Sequence, residues 1–302
     1  MRRLRHQALY LVLRSLFAIG HTLPLRVTQA LGASLSAAVH ILAVTDRRRA
    51  AAHVQIAFPE LKEEEGRRLV RRSARHLGHN LGEVVWLWGA DPKEVEAVCS
   101  LSGAQHLTRA LEAGRGAIIV TGHCGNWELL NARLGVAGFP MTVAVREVDD
   151  PRIDRLATAL RARFGADVVP RGATAGRRLV AALARNRVDG LLIDQDIKDI
   201  PGVFVPFFGR PAWTPSGAAT LALRLNCPVF PGFIHRLPDG RHHAEVHPAL
   251  PEPTASEHDD RVQELTAAAT AAIETQIRSH PEQWVWIHRR WKTRPADERG
   301  AS

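Results

Sequence analysis

The fold of this chain is indicated most strongly by the stretch Val120-Thr-Gly-His-Cys-Gly-Asn-Trp-Glu-Leu-Leu130. The four apolar residues Ala117-Ile-Ile-Val120 are typical of a buried strand, and the end of the stretch is compatible with a helix. On one continuous helix, positions five apart point roughly 140° away from each other. His123 and Glu128 can therefore meet only if the histidine lies in a loop and the glutamate in the first helical turn. The two glycines of the stretch permit such a loop.

A histidine beside a carboxylate is a common device for general-base catalysis. A neutral imidazole becomes a useful base when its second ring nitrogen donates to a carboxylate, which fixes the tautomer and stabilises the imidazolium. The spacing predicts Glu128 as this partner of His123. Free backbone N–H groups at a helix start near Asn126 are also suited to stabilise an oxyanion. The alternative is a loop histidine that is hydrogen-bonded to any nearby carboxylate.

Strand and helix patterns alternate along the chain from residue 101 onward. The predicted strands are 116–121, 141–146, 166–169, 189–194, 228–234 and 241–247. Such alternation favours an α/β fold with a central, largely parallel mixed sheet flanked by helices. His123, Arg146 and Asp194 each follow a predicted strand, so we expect all three at one edge of the sheet, where such folds place catalytic residues.

Four blocks of the sequence resemble the signatures of one enzyme family, in the family's order. They are Gly122-His-Cys-Gly-Asn-Trp-Glu128, Val145-Arg146 with Asp150-Pro151, Asp194-Gln-Asp196 with Val205-Pro-Phe-Phe-Gly209, and Pro281-Glu-Gln-Trp-Val-Trp-Ile-His-Arg-Arg-Trp-Lys-Thr-Arg-Pro295. The first block resembles the His-x4-(Asp/Glu) motif of the lysophospholipid acyltransferase superfamily. Its Gly-Asn-Trp-Glu ending resembles the lauroyl/myristoyl acyltransferases of lipid A biosynthesis.

The resemblance implies an acyltransferase-type fold and the transfer of a fatty acyl chain from acyl carrier protein to a hydroxyl of a lipid A precursor. It implies that His123 is the catalytic base and Glu128 its catalytic partner. Arg146 is then expected to bind a substrate phosphate or to polarise the thioester. Three alternatives stay open: another lipid acceptor (a lysophospholipid, an ornithine lipid or a mannosylated inositol lipid), hydrolysis of the thioester by the same residues, and lipid binding without catalysis.

Further residues are expected to contact the substrate. They are Asn126, Asp194, Asp196, Phe207 and Phe208. The aspartates are expected to be structural or to orient the substrate, because two acids around a glutamine make a poor metal site. The phenylalanines are expected to line an acyl tunnel or to pack in the core. For Arg146 the alternative role is a salt bridge to a nearby acidic residue.

The positive charge of the chain is concentrated in its first 50 residues. The formal net charge is +9, and this segment holds eight arginines against one aspartate. Residues 27–44 carry no charged side chain, and residues 8–25 are interrupted only by Arg14. These runs approach the ~20 apolar residues of a membrane span without clearly reaching it. We therefore expect two amphipathic helices in the membrane interface, with arginines toward anionic headgroups, and keep a true span and a buried helix as alternatives.

These patterns give an expected organisation and location. Residues 1–50 are predicted as a membrane-associating helical segment, 51–295 as the acyltransferase domain and 296–302 as a disordered tail. Three cysteines without a Cys-x-x-Cys motif suit a reducing compartment. The family resemblance implies acyl carrier protein and an anionic glycolipid acceptor as partners, and the bacterial inner membrane as the place where they meet. Together with the charge pattern, it leads us to expect a peripheral or monotopic protein on the cytoplasmic face of that membrane, with the membrane surface as a further partner.

Three other chemistries are less well supported by the sequence. His243, Glu245 and His247 alternate along a predicted strand, as metal ligands can, but this stretch is polar and lies near a hairpin end. Cys124 suggests a thiol nucleophile, but adjacent loop residues usually point apart, so the neighbouring histidine is poorly placed to activate it. The tryptophans and basic residues of 284–294 suit a lipid headgroup region as well as a nucleic-acid surface. We expect no metal, no cofactor and no nucleic-acid partner.

Overall fold

The computed structural model describes residues 2–20, 22–197 and 199–295, and the tail predicted at 296–302 lies outside them. The helices are, in chain order, α1 (Arg2–Gly20), α2 (Leu25–Leu42), α3 (Val44–Ala57), α4 (Glu63–Leu87), α5 (Pro92–Val98), α6 (Ala104–Glu112), α7 (Trp127–Val136), α8 (Pro151–Arg163), α9 (Ala175–Ala184), α10 (Gly217–Leu225) and α11 (His258–Ser279), followed by the short 3-10 helix Pro281–Gln283. The strands are β1 (Cys99–Ser102), β2 (Ala117–Thr121), β3 (Met141–Val145), β4 (Asp167–Pro170), β5 (Val188–Leu192), β6 (Gly202–Phe207), β7 (Arg210–Pro215), β8 (Val229–Arg236) and β9 (His242–Val246).

Seven strands of the described chain form the central sheet, in the order β1-β9-β8-β2-β5-β3-β4. All neighbouring pairs are parallel except β8 and β9, which are antiparallel. The predicted largely parallel mixed sheet is therefore confirmed. The strands β6 and β7 form a separate antiparallel pair.

Strand β2 shows how the helices cover both faces of this sheet. Its residues are all buried. Ile118 and Val120 pack in one apolar cluster with residues of α3, α9, α10 and α11. Ala117 and Ile119 pack in a second cluster with residues of α5, α6, α7 and α8. Because successive side chains of a strand point to opposite faces, this alternation identifies β2 as a central strand between two helical layers.

The sequence did not predict three of the strands. The strand β1 has only four residues, two of them serine. The pair β6 and β7 contains Pro206, Pro211 and Pro215. Proline removes a backbone donor and weakens the pattern of a strand, so this pair has little signal in the sequence.

The N-terminal helices pack against α4 rather than standing apart from the fold. The contact of α2 with α4 is so close that a Cβ added to Gly32 would lie 2.1 Å from the carbonyl oxygen of Gly78. Within the described residues no single helix is long and apolar enough to cross a membrane. Taken together, α2 and α3 are long and apolar enough to span a membrane, by length and composition only. The chain bends by 94° between these two helices.

Candidate functional site

The ends of β2 and β5 bring two residues of the sequence motifs together. The strands are parallel neighbours, with Thr121 opposite Leu192. His123 and Asp194 each lie two residues beyond this pair, so the register of the sheet sets them side by side. The Nδ1 of His123 lies 2.7 Å from Oδ1 of Asp194, and the backbone N–H of His123 donates to Oδ2 at 2.7 Å. The carboxylate thus holds both the ring and its backbone.

The carboxylate of Asp194 is buried and ionised. Besides the two groups of His123, the indole Nε1 of Trp284 donates to its Oδ2 at 2.8 Å. Burial opposes ionisation, but the interaction with His123 and these hydrogen bonds outweigh it, and the pKa of Asp194 is lowered from its usual value. An ionised carboxylate can only accept hydrogen bonds, so Nδ1 of His123 carries the proton and Nε2 presents its lone pair.

Gln195 lies between two imidazole rings. Its Nε2 is 3.1 Å from Nε2 of His123 and 3.0 Å from Nε2 of His288. Burial and, to a smaller extent, the positive charge that His123 carries when it is protonated lower the pKa of His288 to about 4, so the His288 ring is neutral near pH 7. The side chain of His123 is 18% exposed, so an alcohol can approach it.

Two glycines shape the loop before α7. Gly125 has a φ of +60°, and a Cβ there would lie 2.0 Å from the carbonyl oxygen of Ile234. A larger residue is therefore excluded by both conformation and space. A Cβ at Gly122 would lie 3.1 Å from the carboxylate of Asp194, so the glycine lets that carboxylate approach the loop. The predicted loop, with Glu128 in the first turn of the following helix, is confirmed.

A buried polar network ties this loop to α4. Asn80 donates to the carbonyl oxygen of Gly125 at 2.6 Å, and Glu83 accepts from Nδ2 of Asn126 at 2.7 Å. Glu83 is ion-paired with Arg236 of β8, which also donates to Oδ1 of Asn80 at 2.8 Å. Breaking a buried ion pair by removing one partner typically costs about 3–5 kcal/mol, so this network strongly fixes the loop against α4.

Glu128 does not hold the imidazole of His123. Both of its carboxylate oxygens accept hydrogen bonds from the guanidinium of Arg161 in α8. The Nδ1 of His123 is bound by Asp194 instead. The prediction that Glu128 orients the ring is therefore wrong, because the first turn of α7 directs this side chain toward α8. Whether Glu128 acts in catalysis in another way stays a prediction.

Asn126 and Asp196 are engaged within the protein. Asn126 caps α7 by accepting from the N–H of Leu129 at 3.2 Å, while its Nδ2 donates into the α4 network. Asp196 accepts from the backbone N–H and the hydroxyl of Thr293, at 2.5 and 2.8 Å. These contacts favour the structural role for Asp196 and give Asn126 a structural role in place of the expected substrate contact.

Arg146 is exposed at the end of β3, at the same edge of the sheet as His123. Arg171 lies close enough to feel its charge, because the pKa of Arg171 is lowered first by burial and then by the charge of Arg146. Two neighbouring guanidinium groups favour the binding of an anion. The phosphate-binding role of Arg146 stays a prediction.

Phe207 and Phe208 are core residues. Phe207 packs against Trp284 and Trp291, and Phe208 packs against Phe58. Both phenylalanines are buried in the apolar cluster that faces α11. Core packing therefore accounts for them, and the expected acyl tunnel receives no support from their positions.

The C-terminal segment is also part of the core. Trp284, Trp286 and Trp291 are 1%, 1% and 4% exposed. The alternatives that placed these rings on a surface for lipid or nucleic acid receive no support, because the rings complete the core around β6. The backbone of Cys124 forms an isolated antiparallel β-bridge with that of Trp284. Burial raises the pKa of the Cys124 thiol well above its usual value. A buried thiol of this kind is a poor nucleophile.

The polar strand β9 offers no metal centre. The ring of His243 is hydrogen-bonded to the hydroxyls of Ser100 and Ser102 in β1, at 2.8 and 3.0 Å. In the part of the chain that the structure describes, no three His, Cys, Asp or Glu side chains are grouped to hold a metal ion.

Sequence reasoning gave no individual role to Gln195, Trp284, His288 and Arg161. The first three lie inside blocks that resemble the family signatures, and that position was their only signal. Arg161 is one of four arginines in α8 and carries no signal of its own. Its pairing with Glu128 depends on how α7 and α8 pack.

The family model of the bacterial lipid A biosynthesis acyltransferases matches residues 1–293. The chain belongs to this family. It is 30% identical to the lipid A biosynthesis lauroyltransferase of Escherichia coli (strain K12) over 245 residues, which cover 80% of this chain and 78% of that protein. It is 26% identical to the lipid A biosynthesis palmitoleoyltransferase of the same organism, over 82% of this chain and 78% of that protein.

A third relative carries a different name. The phosphatidylinositol mannoside acyltransferase of Mycolicibacterium smegmatis (strain ATCC 700084 / mc(2)155) is 29% identical over 65% of this chain and 63% of that protein. All three relatives are named as transferases of acyl groups. This member of the lipid A acyltransferase family is thus an O-acyltransferase with a lipid acceptor, as the sequence resemblance predicted.

Proposed function

We propose that this acyltransferase moves a fatty acyl chain from acyl carrier protein to a hydroxyl of a lipid A precursor. The proposal is carried by the imidazole of His123, which is held by an ionised Asp194 at the edge of the sheet in a chain of this family. Such a pair supplies the base that alcohol attack on a thioester requires.

The reaction proceeds by direct transfer at Nε2 of His123. The acceptor hydroxyl displaces the amide of Gln195 from Nε2 and gives its proton to the ring as its oxygen attacks the thioester carbonyl carbon. Asp194 stabilises the imidazolium through Nδ1. When the tetrahedral intermediate collapses, the carbon–sulfur bond breaks and the imidazolium returns the proton to the leaving thiolate, so protons and charges balance.

The negative oxygen of the intermediate is stabilised by the start of α7. This helix begins at Trp127, and the Trp127 ring lies 4.8 Å from the His123 ring, measured between centroids. First-turn N–H groups and the positive end of the helix dipole favour a negative charge at this place. The amide of Gln195, released from Nε2, is a further donor at the same position.

Glu128 acts in this scheme by positioning α7. Its carboxylate and the guanidinium of Arg161 tie the first turn of α7 to α8. A small displacement of that turn misaligns the N–H groups with the carbonyl oxygen of the substrate, which is a costly change in a catalytic site. Arg146, beside Arg171, binds a phosphate of the acceptor.

The protein works at the cytoplasmic face of the bacterial inner membrane, where acyl carrier protein and the lipid acceptor meet. Support comes from the eight arginines of the first 50 residues and from the exposed apolar side chains of α2. The basic surface suits both an acidic carrier protein and anionic lipid.

A second acceptor class is favoured by one comparison. The likeness to a phosphatidylinositol mannoside acyltransferase makes a mannosylated inositol lipid the alternative acceptor. The catalytic residues would be the same, since both acceptors present a hydroxyl group.

The proposal is tested by incubating the purified protein with an acyl carrier protein thioester and each acceptor in turn, and by measuring the acylated product and the free fatty acid. Product that depends on the deacylated lipid A precursor is expected. Product formed only with the mannosylated inositol lipid would assign the alternative acceptor. Free fatty acid released at the same rate without any acceptor would show a thioester hydrolase and contradict the proposal.

A further inference from the structure

A basic cavity lies between the end of α2, α3 and α4, outside the candidate catalytic site. It has a volume of about 450 Å³ and is lined by four arginines, Arg47 and Arg48 of α3 and Arg67 and Arg71 of α4. Among its described lining residues, Glu63 is the acidic one. Four arginine side chains around one concave surface, with a single carboxylate, favour the binding of an anion.

The charges of this cavity are only partly neutralised. Glu63 pairs with Arg67, and Arg47 caps carbonyl oxygens at the end of α2. Within residues 2–20, 22–197 and 199–295, Arg48 and Arg71 have no carboxylate partner. Two guanidinium groups, one from each helix, are therefore available to a ligand. Guanidinium forks bind phosphate oxygens in pairs, which suits a phosphate better than a halide ion.

A histidine on the wall of the cavity is affected by this positive charge. The pKa of His40 is lowered by burial first, and then by the charges of Arg47 and Arg71. These arginines thus disfavour a further cation at this position. The same potential favours an anionic ligand.

An exposed apolar stripe on α2 leads to the cavity. The stripe consists of Val27, Leu31, Leu35, Val39 and Leu42, which are between 41% and 82% exposed. Their spacing of three or four residues puts them on one face of the helix. Ile41, which is also exposed, lines the cavity itself. Apolar side chains that end at a set of arginines match the acyl chains and phosphate headgroups of a bilayer surface.

We propose that this cavity binds the phosphate headgroup of an anionic glycerophospholipid, while the α2 stripe lies among the lipid acyl chains. The proposal rests on the membrane association in the proposed function, but it is independent of the chemistry at His123. A lipid is favoured over a soluble phosphate because the stripe adjoins the arginines. It is favoured over an acidic protein because the arginines line a concave space that admits a headgroup rather than a flat surface.

The matched variants Arg71→Glu and Arg72→Glu test this site. Both residues are exposed neighbours on α4 and both substitutions change the charge equally, but only Arg71 lines the cavity. Binding of the whole chain to phosphatidylcholine vesicles that contain or lack phosphatidylglycerol is measured in a vesicle flotation assay. We expect Arg71→Glu to weaken the phosphatidylglycerol-dependent binding at least about tenfold and Arg72→Glu less than about threefold. Arg48→Glu, on α3, should match Arg71→Glu, and thermal unfolding checks that each variant is folded.

Three results would overturn the proposal. Equal losses in Arg71→Glu and Arg72→Glu would show a diffuse effect of charge without a site. Binding of glycerol 3-phosphate that is lost in Arg71→Glu, with vesicle binding unchanged in the same variant, would assign the cavity to a soluble phosphate. A raised KM for the acyl carrier protein thioester in Arg71→Glu, with unchanged vesicle binding, would assign it to an acidic protein.

The variant His123→Ala separates this proposal from the proposed function. It should bind phosphatidylglycerol vesicles as the wild type does, because the ring lies outside the cavity. A wild-type chain that binds these vesicles through Arg71 but transfers no acyl group contradicts only the proposed function.

Discussion

Two aspartates at opposite ends of β5 are equally buried, yet their carboxyl groups are in opposite states. Asp189, near the start of the strand, is 0% exposed, and Asp194, just beyond its end, is 1% exposed. In the described chain the carboxylate oxygens of Asp189 have no hydrogen-bond partner, and burial raises its pKa to about 8. Three donors surround Asp194 and its pKa is lowered. The charge interaction with His123 and the surrounding donors, and not depth, decide which buried carboxyl is charged.

This contrast separates the two edges of the sheet by their chemistry. At the carboxyl-terminal edge the charge of Asp194 is used to hold His123. At the amino-terminal edge the proton of Asp189 keeps the core neutral. Substitutions at each edge test this contrast, and the largest effect is expected at the charged edge.

Loss of the ring at the charged edge should have the largest effect. We expect His123→Ala to lower kcat roughly 10²–10⁴-fold, because the base is removed. The exposed His258, in α11, supplies the control variant His258→Ala, which should retain wild-type turnover. Steady-state assays with the acyl thioester and lipid acceptor measure both. Turnover by His123→Ala near the wild-type rate would remove the histidine from the mechanism.

Glu128, the second carboxylate at the charged edge, should affect catalysis by positioning α7. We expect Glu128→Ala and Arg161→Ala each to lower kcat roughly 10²-fold, because the first turn of α7 loses its tie to α8. The double variant should be little worse than either single variant, since both remove one interaction. Arg155→Ala, at an exposed position of α8, is the control. Additive losses would instead indicate separate roles for the two residues.

A substitution of Asp189, at the amino-terminal edge, should change the stability of the protein and leave catalysis intact. The unfolded chain ionises Asp189 above about pH 4, whereas the folded chain keeps its proton up to about pH 8, so wild-type stability falls as pH rises through this window. Asp189→Asn removes this dependence and should be more stable than the wild type by roughly 1–3 kcal/mol at pH 8, with little difference at pH 4. Urea unfolding at both pH values measures the gain. A variant that is less stable at pH 8 would show that the carboxyl is ionised in the fold.

Gln195 should have the smallest effect. We expect Gln195→Ala to lower kcat by roughly tenfold or less, because one donor is lost while the Asp194–His123 pair is intact. A matched change at the exposed Gln263, on α11, should leave kcat unchanged. A loss of kcat as large as that of His123→Ala would show that Gln195 is as important to catalysis as the base, which contradicts its assignment as one additional donor.

Much of the charged edge was predictable because it depends on local patterns. The strand, the glycine loop and the first turn of α7 all follow from residues 117–130. The same patterns indicated that Asp194 follows a strand. The partner of Nδ1 was not predictable, because Asp194 is 71 residues from His123 and is placed by the register of β2 and β5.

The burial of the C-terminal segment was not predictable for a different reason. Tryptophans and arginines together are typical of both a polar surface and a satisfied core. Arg290 is fully buried, donating to the carbonyl oxygen of Trp213 and the hydroxyl of Thr214 while it stacks on Phe207. Its partners lie in β6 and β7, a strand pair that the sequence did not predict. Nothing in the sequence therefore indicated the surface against which this segment is buried.

The most direct test of the account compares kcat for Asp194→Asn and Asp189→Asn under identical conditions. Asn preserves the shape of each side chain but removes the charge that holds Nδ1–H of His123. The assignment of Asp194 as the group that holds His123 predicts a loss of at least roughly 10²-fold for Asp194→Asn and wild-type turnover for Asp189→Asn. Wild-type turnover by a folded Asp194→Asn variant would contradict it.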